Sequence, residues 1–290
     1  HSGDWSGPHP TIADARTSAA FAAFSPVSVF SMQIAAALPR LVREFAIDVV
    51  EAPDTGALGW FPLLEHRAKG GPPLVVCLHS PTPWIAELNG TSLVGRRDTE
   101  LVWMERDAIE WADGLVSPSR MMAEWVRHKW GARAVEVIPY PLGELEPAAK
   151  AAAAGKATQS DRSIVFAGRL EPRKGIRVLL EGFTQAIERG ADLSLELIGE
   201  DMPEGGSRHG ERLIAALPER VRARIRAHGR LPWEDVDWWR RRALAVAVPS
   251  PSDNFPNTCM EAMSLGKPVL AAAAGGMAEM IRDGIDGLLF

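Results

Sequence analysis

The sequence predicts an α/β protein built from two doubly wound, mostly parallel sheets, and three observations predict it. Apolar runs of four to six residues recur along the chain, and the stretches between them carry helical spacing. One Ala/Pro/Gly-rich segment divides the series into two halves. Runs that are continuously apolar, rather than alternating, fit strands buried on both faces of a parallel sheet. Strand and helix in repeated succession give a doubly wound fold.

In the first half the expected strands are Ile47–Val50, Leu74–Leu78, Gly114–Ser117 and Val135–Ile138. In the second they are Ile164–Ala167, Leu193–Ile198, Leu244–Val248 and Pro268–Ala271. Helical periodicity is expected over Met32–Phe45, Thr99–Trp111, Ile176–Glu188 and Met260–Leu265. The stretch Glu144–Asp161 contains Ala-Ala-Ala-Ala and little that could pack, so it reads as the inter-domain connection. For the alanine run alone, a short solvent-facing helix is the alternative. The expected organisation is an incomplete N-terminal Rossmann-like domain over 1–145, a linker over 146–161 and a C-terminal Rossmann-like domain over 162–290. The two domains are expected to face each other across a cleft. Beginning at His1 with no initiator Met and stopping at Phe290 directly after an apolar run, the chain reads as a fragment cut at both ends.

Composition removes several function classes. Hydrophobic residues make up 46% and charged residues 24%, the balance of a globular protein rather than a disordered tail. The net charge of −5 argues against nucleic acid as a partner, because phosphate-backbone binding needs a basic surface. Cys77 and Cys259 cannot supply a disulfide framework or a four-ligand zinc site, and both read as buried small hydrophobes of a reducing cytosol. No H-E-x-x-H occurs, and no metal site is expected. Ala19–Leu38 is interrupted by Pro26, Gln33 and serines, so it reads as a mobile loop leading into an amphipathic helix rather than a membrane span. No G-x-G-x-x-G is present, which disfavours a dinucleotide-dependent dehydrogenase.

Three motifs carry the chemistry. The first is I-V-F-A-G-R-L-E-P-R-K-G, Ile164–Gly175. Its strand ends at Ala167, Gly168 permits a tight turn, and Arg169 and Lys174 follow at the carboxyl end, where ligands of open α/β sheets bind. Arg169 can fork onto two phosphate oxygens, Lys174 adds a compact charge, and the helix opening near Gly175 adds free N–H groups. The bland alternative is a pair of solvated surface cations. The second motif is S-D-N-F-P-N-T-C-M-E-A-M-S-L-G-K-P-V, Ser252–Val269. Asp253 stands in the loop before a helix and Glu261 one turn inside it, sharing a face with Asn257. Asp253 can take hydrogen bonds from sugar hydroxyls and Glu261 can hold a ribose; alternatively Asp253 or Asn257 caps the helix and Glu261 complements its dipole. The third is A-G-G-M-A-E, Ala274–Glu279, whose paired glycines suit close approach to a phosphate or a plain turn.

Together these residues would lie on one rim of one sheet, in an order that strongly resembles the retaining glycosyltransferases of family 4, which have the two-domain GT-B fold. In that family G-R-L-x-x-x-K-G binds the donor diphosphate, and an E-x7-E motif binds the donor sugar and the ribose. Here the first motif is intact at Gly168–Gly175, while the second keeps its spacing with Asp253 in place of its first Glu. Pro256 stands where a glycine is common. Weaker matches run through the first half: Ala46–Asp54, Pro72–Ser80, Glu110–Arg120 and Val137–Gly143.

The resemblance implies a metal-independent hexosyltransferase-type enzyme that uses a nucleotide-diphosphate sugar as substrate, needs no cofactor, and works in polysaccharide, glycolipid or other glycoconjugate synthesis. It implies catalytic roles for Arg169, Lys174, Asp253 and His79, with His79 near the donor sugar. It implies donor binding by Gly168, Arg169, Lys174, Arg230, Leu231, Asp253, Asn254, Phe255, Asn257, Thr258 and Glu261, with Gly229–Val236 meeting the base. The acceptor would be a sugar, a lipid or a small-molecule hydroxyl. Alternatives are a non-catalytic nucleotide-sugar-binding subunit, or a phosphorylase or epimerase on the same fold. Asp235-Val236-Asp237 reads D-x-D, a metal signature of another glycosyltransferase fold, but acids opening an amphipathic helix explain it better. The Trp238, Trp239 and Arg240–Arg242 cluster offers weak contact with a membrane surface, although packing its rings inward is favoured. A cytoplasmic location, with peripheral contact at the inner membrane face, is the matching expectation.

Overall fold

The computed structural model describes residues 25–132, 134–141, 162–204 and 206–290. The expected linker and the start of the expected mobile loop lie outside them. The chain divides into two compact units. One holds residues up to Trp84 and Ser92–Val116, and the other Ile85–Thr91 and everything from Ser117.

In the first unit, helix α1 (Pro26–Phe45) starts six residues before the expected Met32. Ser25 caps it by accepting from Ser28 N at 3.1 Å, and Pro26 suits the first helical turn, where its missing N–H costs nothing. Ala46 takes a left-handed conformation, and Ile47 N donates to Val42 O at 3.1 Å. The helix exit thus occupies Ile47, and strand β1 is Val50–Pro53 rather than the expected Ile47–Val50. Helix α2 (Trp60–Lys69) leads to β2 (Leu74–Cys77); helix α3 (Thr82–Asn89), whose residues from Ile85 belong to the other unit, and α4 (Arg96–Trp111) precede β3 (Gly114–Ser117). β1 and β3 flank β2, both parallel to it.

Two buried acids organise the loops that leave β1 and β2. Asp54 Oδ1 accepts from Thr55 N at 2.6 Å and from His79 N at 2.9 Å. Glu105 of α4 accepts from Gly56 N at 2.9 Å, Thr82 N at 2.8 Å and Thr82 Oγ1 at 2.6 Å. Both carboxyls are fully buried. Burial raises Asp54 above the ordinary carboxylate range and pushes Glu105 up to about 7.

In the second unit α5 (Arg120–Trp130) leads to β4 (Glu136–Val137), where Ile138 N donates to Ser117 O at 2.9 Å. β4 is short and exposed, so the expected buried run Val135–Ile138 is not a core strand. From Ser163 the chain builds β5 (Ser163–Ala167), α6 (Ile176–Glu188), β6 (Ser194–Ile198), the hairpin β7 (Pro203–Glu204) and β8 (Ser207–Arg208), and the short helices α7 (His209–Ala215) and α8 (Glu219–Arg222). Then come β9 (Ile225–Gly229), α9 (Trp233–Arg242), β10 (Ala245–Val248), α10 (Asn257–Ser264), β11 (Val269–Ala271), α11 (Met277–Met280) and β12 (Gly287–Leu289).

The six-stranded sheet runs β12-β11-β10-β5-β6-β9, all pairs parallel. Alternate residues serve its two faces. Ile164, Phe166, Leu195, Leu197, Ala245 and Ala247 pack with Ile176, Leu180 and Phe183. Val246, Val248, Val269 and Ala271 pack with Cys259, Ala262 and Met277. Both cysteines are buried and unpaired, their thiols pushed up to about 11 at Cys77 and about 12 at Cys259, chiefly by burial. Strand β9 escaped the apolar-run criterion because it reads I-R-A-H-G. Its Arg226 and His228 instead reach the buried Glu196 of β6 at 2.7 and 2.8 Å. Among the described residues no helix is long and apolar enough to cross a membrane.

Because Glu105 holds its proton to about 7 in the folded chain but loses it near 4.5 when unfolded, folding takes up a proton between those values. Stability should therefore fall as pH rises from 4.5 towards 7, by on the order of 3 kcal/mol, and level off above that window. Thermal unfolding across pH 4.5–8 should show this slope, and Glu105→Gln should flatten it. An equal slope in both proteins would remove Glu105 as its source.

Candidate functional site

The site is built where β5 and β10 end. After Ala167 the chain stays beside β6: Gly168 N donates to Ile198 O and Leu170 N to Glu200 O, each at 2.9 Å. Pro172–Lys174 then form a 3-10 turn closed by Gly175 at φ +70°. A Cβ on Gly175 would lie 1.8 Å from the carbonyl oxygen of Pro249, so only glycine lets this turn rest on the loop leaving β10. That contact brings the first two motifs together. Lys174 Nζ lies 2.5 Å from Asp253 Oδ2, with both side chains largely buried. Arg169 is half exposed, 3.2 Å from Glu171 Oε1, which also lies 2.9 Å from Arg173 Nε.

The loop carrying Asp253 is held from behind by the third motif. A Cβ on Gly276 would meet Asn254 O at 1.6 Å, and one on Gly275 would meet Asp253 O at 2.4 Å. Gly276 N donates to Asp253 O at 2.8 Å. The glycine pair thus admits a neighbouring loop, and its Gly276 amide is engaged by that loop. Glu279 of the same motif caps α5: its two oxygens accept from Arg120 N and Met121 N, each at 2.8 Å. Ser119 Oγ takes Met122 N at 3.1 Å, and Ser119 O takes Ala123 N at 3.3 Å, which accounts for that helix's first four amides.

The remaining expected residues divide by role. Asn254 is buried and accepts from Ser119 Oγ at 2.5 Å, while Phe255 meets Tyr140 edge-on with ring centroids 5.6 Å apart. Thr258 Oγ1 donates to Ala167 O at 3.3 Å, tying α10 to the end of β5. Neither Asp253 nor Asn257 caps α10. Pro256 occupies the cap position without a side-chain bond, and Asn257 is an exposed first helical residue. Glu261 reaches Arg240 of α9, Oε2 to Nη2 at 2.6 Å.

Gly168, Arg169, Arg230, Leu231, Trp233 and Arg240 line an open cavity of about 820 Å³, large enough for a nucleotide-sized ligand. In the D-x-D triplet, Asp237 pairs with Arg241 at 2.7 Å and Asp235 lies in the first turn of α9. Trp239 packs inward against His228, whereas Trp238 is half exposed under the Arg242 guanidinium. His79 follows β2 in the other unit, partly buried, with its backbone amide held by Asp54.

Sequence reasoning missed Arg240 as a member of this group. Its signal was helical phase: Val236, Trp239, Arg240 and Ala243 fall at i, i+3, i+4 and i+7, the buried face of α9.

Comparison with known proteins decides the family. A model described as Glycosyltransferase Family 4 matches residues 4–142, and one described as Glycosyl transferases group 1 matches residues 161–290. The chain belongs to glycosyltransferase family 4. Two relatives in that family are D-inositol 3-phosphate glycosyltransferases. The one from Segniliparus rotundus is 29% identical over 245 residues, covering 81% of this chain and 52% of the relative. The one from Streptomyces griseus is 28% identical over 268 residues, covering 81% and 54%. The family 4 chain thus spans about half the length of the curated relatives it matches. Among solved structures, sucrose-phosphate synthase from Thermosynechococcus elongatus aligns over 91% of this chain and 65% of its own, at a TM-score of 0.67 and 21% identity. Anabaena Alr3699/HepE in complex with UDP aligns over 89% and 68%, at 0.64 and 20%. These likenesses establish the two-domain GT-B fold.

Backbone crowding behind the Asp253 loop gives a direct prediction. Gly276→Ala should destabilise the protein by about 2 kcal/mol or more. Gly182→Ala, in α6 with open space around it, should stabilise by roughly 0.5–1 kcal/mol. Urea unfolding of both variants checks this; equal effects would mean that the loop does not need the glycine.

Proposed function

We propose that this chain supplies the nucleotide-sugar site of a retaining glycosyltransferase that moves a hexosyl-type unit to a hydroxyl acceptor. One observation carries the reading. Past the ends of β5 and β10 Lys174 pairs with Asp253, Glu261 pairs with Arg240, and Arg169 and Arg240 line a cavity of nucleotide size. Breaking a sugar–phosphate bond leaves negative charge on the diphosphate. Arg169, Lys174 and the first-turn amides of α6 are preorganised to take that charge. Lys174 rests on Asp253 until a ligand arrives, so it is held in place rather than swinging free, and phosphate oxygens can share it.

On this reading Asp253 orients the sugar hydroxyls while its carboxylate steadies Lys174, and Glu261 holds the ribose. Arg230 and Leu231 line the base end, and Asn254, Phe255 and Thr258 hold the shape of the loop. Charge neutralisation is assigned to the protein's own cations, with Asp237 engaged by Arg241. The Alr3699/HepE structures with UDP and with UDP-glucose support a nucleotide-sugar donor. The relatives named for D-inositol 3-phosphate make a phosphorylated polyol the first acceptor class to test, ahead of lipids. The half-exposed Trp238 beside Arg242 is consistent with brief contact at a membrane face.

Nucleoside diphosphates and their sugars should raise the thermal midpoint, since a ligand that binds only the folded state stabilises it. With donor and acceptor supplied, Lys174→Ala should lower turnover by about 100 to 1,000-fold, the usual cost of removing one transition-state donor. A midpoint unmoved by every nucleotide tested, or turnover unchanged in Lys174→Ala, would refute the reading.

A further inference from the structure

Arg240 is difficult to explain as a stabilising residue. It sits in the last turn of α9 with 6% of its side chain exposed, and its Nη2 lies 2.6 Å from Glu261 Oε2. Its Nε and Nη1 are buried with no hydrogen-bond partner. A buried guanidinium with one carboxylate and two unsatisfied donors costs desolvation energy that a single ion pair offsets poorly. An apolar side chain of similar length would fill the same space at little cost, because Glu261 is 36% exposed and can be rehydrated.

We infer that Arg240 is a positioning residue that fixes the Glu261 carboxylate for recognition of the ribose hydroxyls of the donor. This rests on the reading proposed above, in which Glu261 meets the ribose. The geometry suits the task. Arg240 engages Oε2 and leaves Oε1 without a protein donor among the described residues. A glutamate on an exposed helix face has three free torsions. A buried, rotationally fixed guanidinium selects one of its arrangements before any ligand arrives. Arg240 also lines the cavity that Gly168 and Arg169 line, so the carboxylate it holds is paired with a residue of the wall where a nucleotide would lie. With Nε and Nη1 buried and Nη2 on Glu261, Arg240 is assigned to act through Glu261.

The test is a ratio. Isothermal titration measures the affinities of uridine, guanosine and adenosine diphosphates and of their 2′-deoxy counterparts, and the tightest pair defines the ribo/deoxyribo ratio. A ratio cancels any uniform loss caused by changing the charge of the site. The native chain should prefer the ribonucleotide by about tenfold or more, as expected for a hydrogen bond to a charged group. Glu261→Gln and Arg240→Met should each bring the ratio near one, and the double variant should change it no further. Arg240→Met should unfold within a few degrees of the native chain; if it folds poorly, Arg240→Lys reads the same ratio and should fall between the two. A ratio lost in Glu261→Gln but kept in Arg240→Met overturns the role of Arg240 and leaves the ribose assignment standing, as does an equal weakening of both nucleotides. A native ratio near one overturns the ribose assignment and this inference together.

Discussion

Backbone contact between two loops is the constraint on which the site depends. The turn after β5 ends at Gly175, which rests against the carbonyl of Pro249 at a distance that no side chain tolerates. The loop after β10 is then pressed from its far side by Gly275 and Gly276. Three loops from three neighbouring strands are stacked backbone on backbone, and the charged residues they carry inherit that fixed spacing. Lys174 and Asp253 are 79 residues apart in sequence yet lie in hydrogen-bond contact because their loops cannot separate without opening this stack. Preorganisation of this kind lets a cation meet developing charge without first reorganising.

Charge in the site is balanced locally. Lys174 faces Asp253, Arg240 faces Glu261, and Arg169 and Arg173 share Glu171. On the proposed reading a diphosphate would meet cations already oriented by carboxylates, with the excess positive charge on the half-exposed Arg169. The other unit shows a different use of acids. Asp54 and Glu105 are buried to collect backbone amides at the loops after β1 and β2, and burial raises the pKa of both carboxyls above the ordinary range.

Much of this was legible in the sequence because parallel-sheet strands buried on both faces are written as unbroken apolar runs. Ile164–Ala167, Leu193–Ile198 and Gly114–Ser117 fell within a residue of β5, β6 and β3, and the period over Ile176–Glu188 matched α6. Edge strand β9 was invisible to that criterion, since its polar side chains are satisfied by Glu196, which lies far away in sequence. Ile47 misled because an apolar residue can close a helix as readily as open a strand. In the site, the cations and acids were named from motifs and from the family resemblance that those motifs carry. That Gly275–Gly276 serves the Asp253 loop, that Glu279 caps α5 and that Arg240 meets Glu261 are contacts between distant segments, and local pattern does not encode them. The phase of Arg240 on α9 was the one readable hint.

The most direct test is a crystal structure of the chain grown with a nucleoside diphosphate. The expected result places diphosphate oxygens within about 2.7–3.2 Å of Arg169 and Lys174 donors, with the backbone of 168–175 and 249–257 unmoved. A diphosphate bound elsewhere, or bound there only after Gly175 has separated from Pro249, would contradict a preformed site.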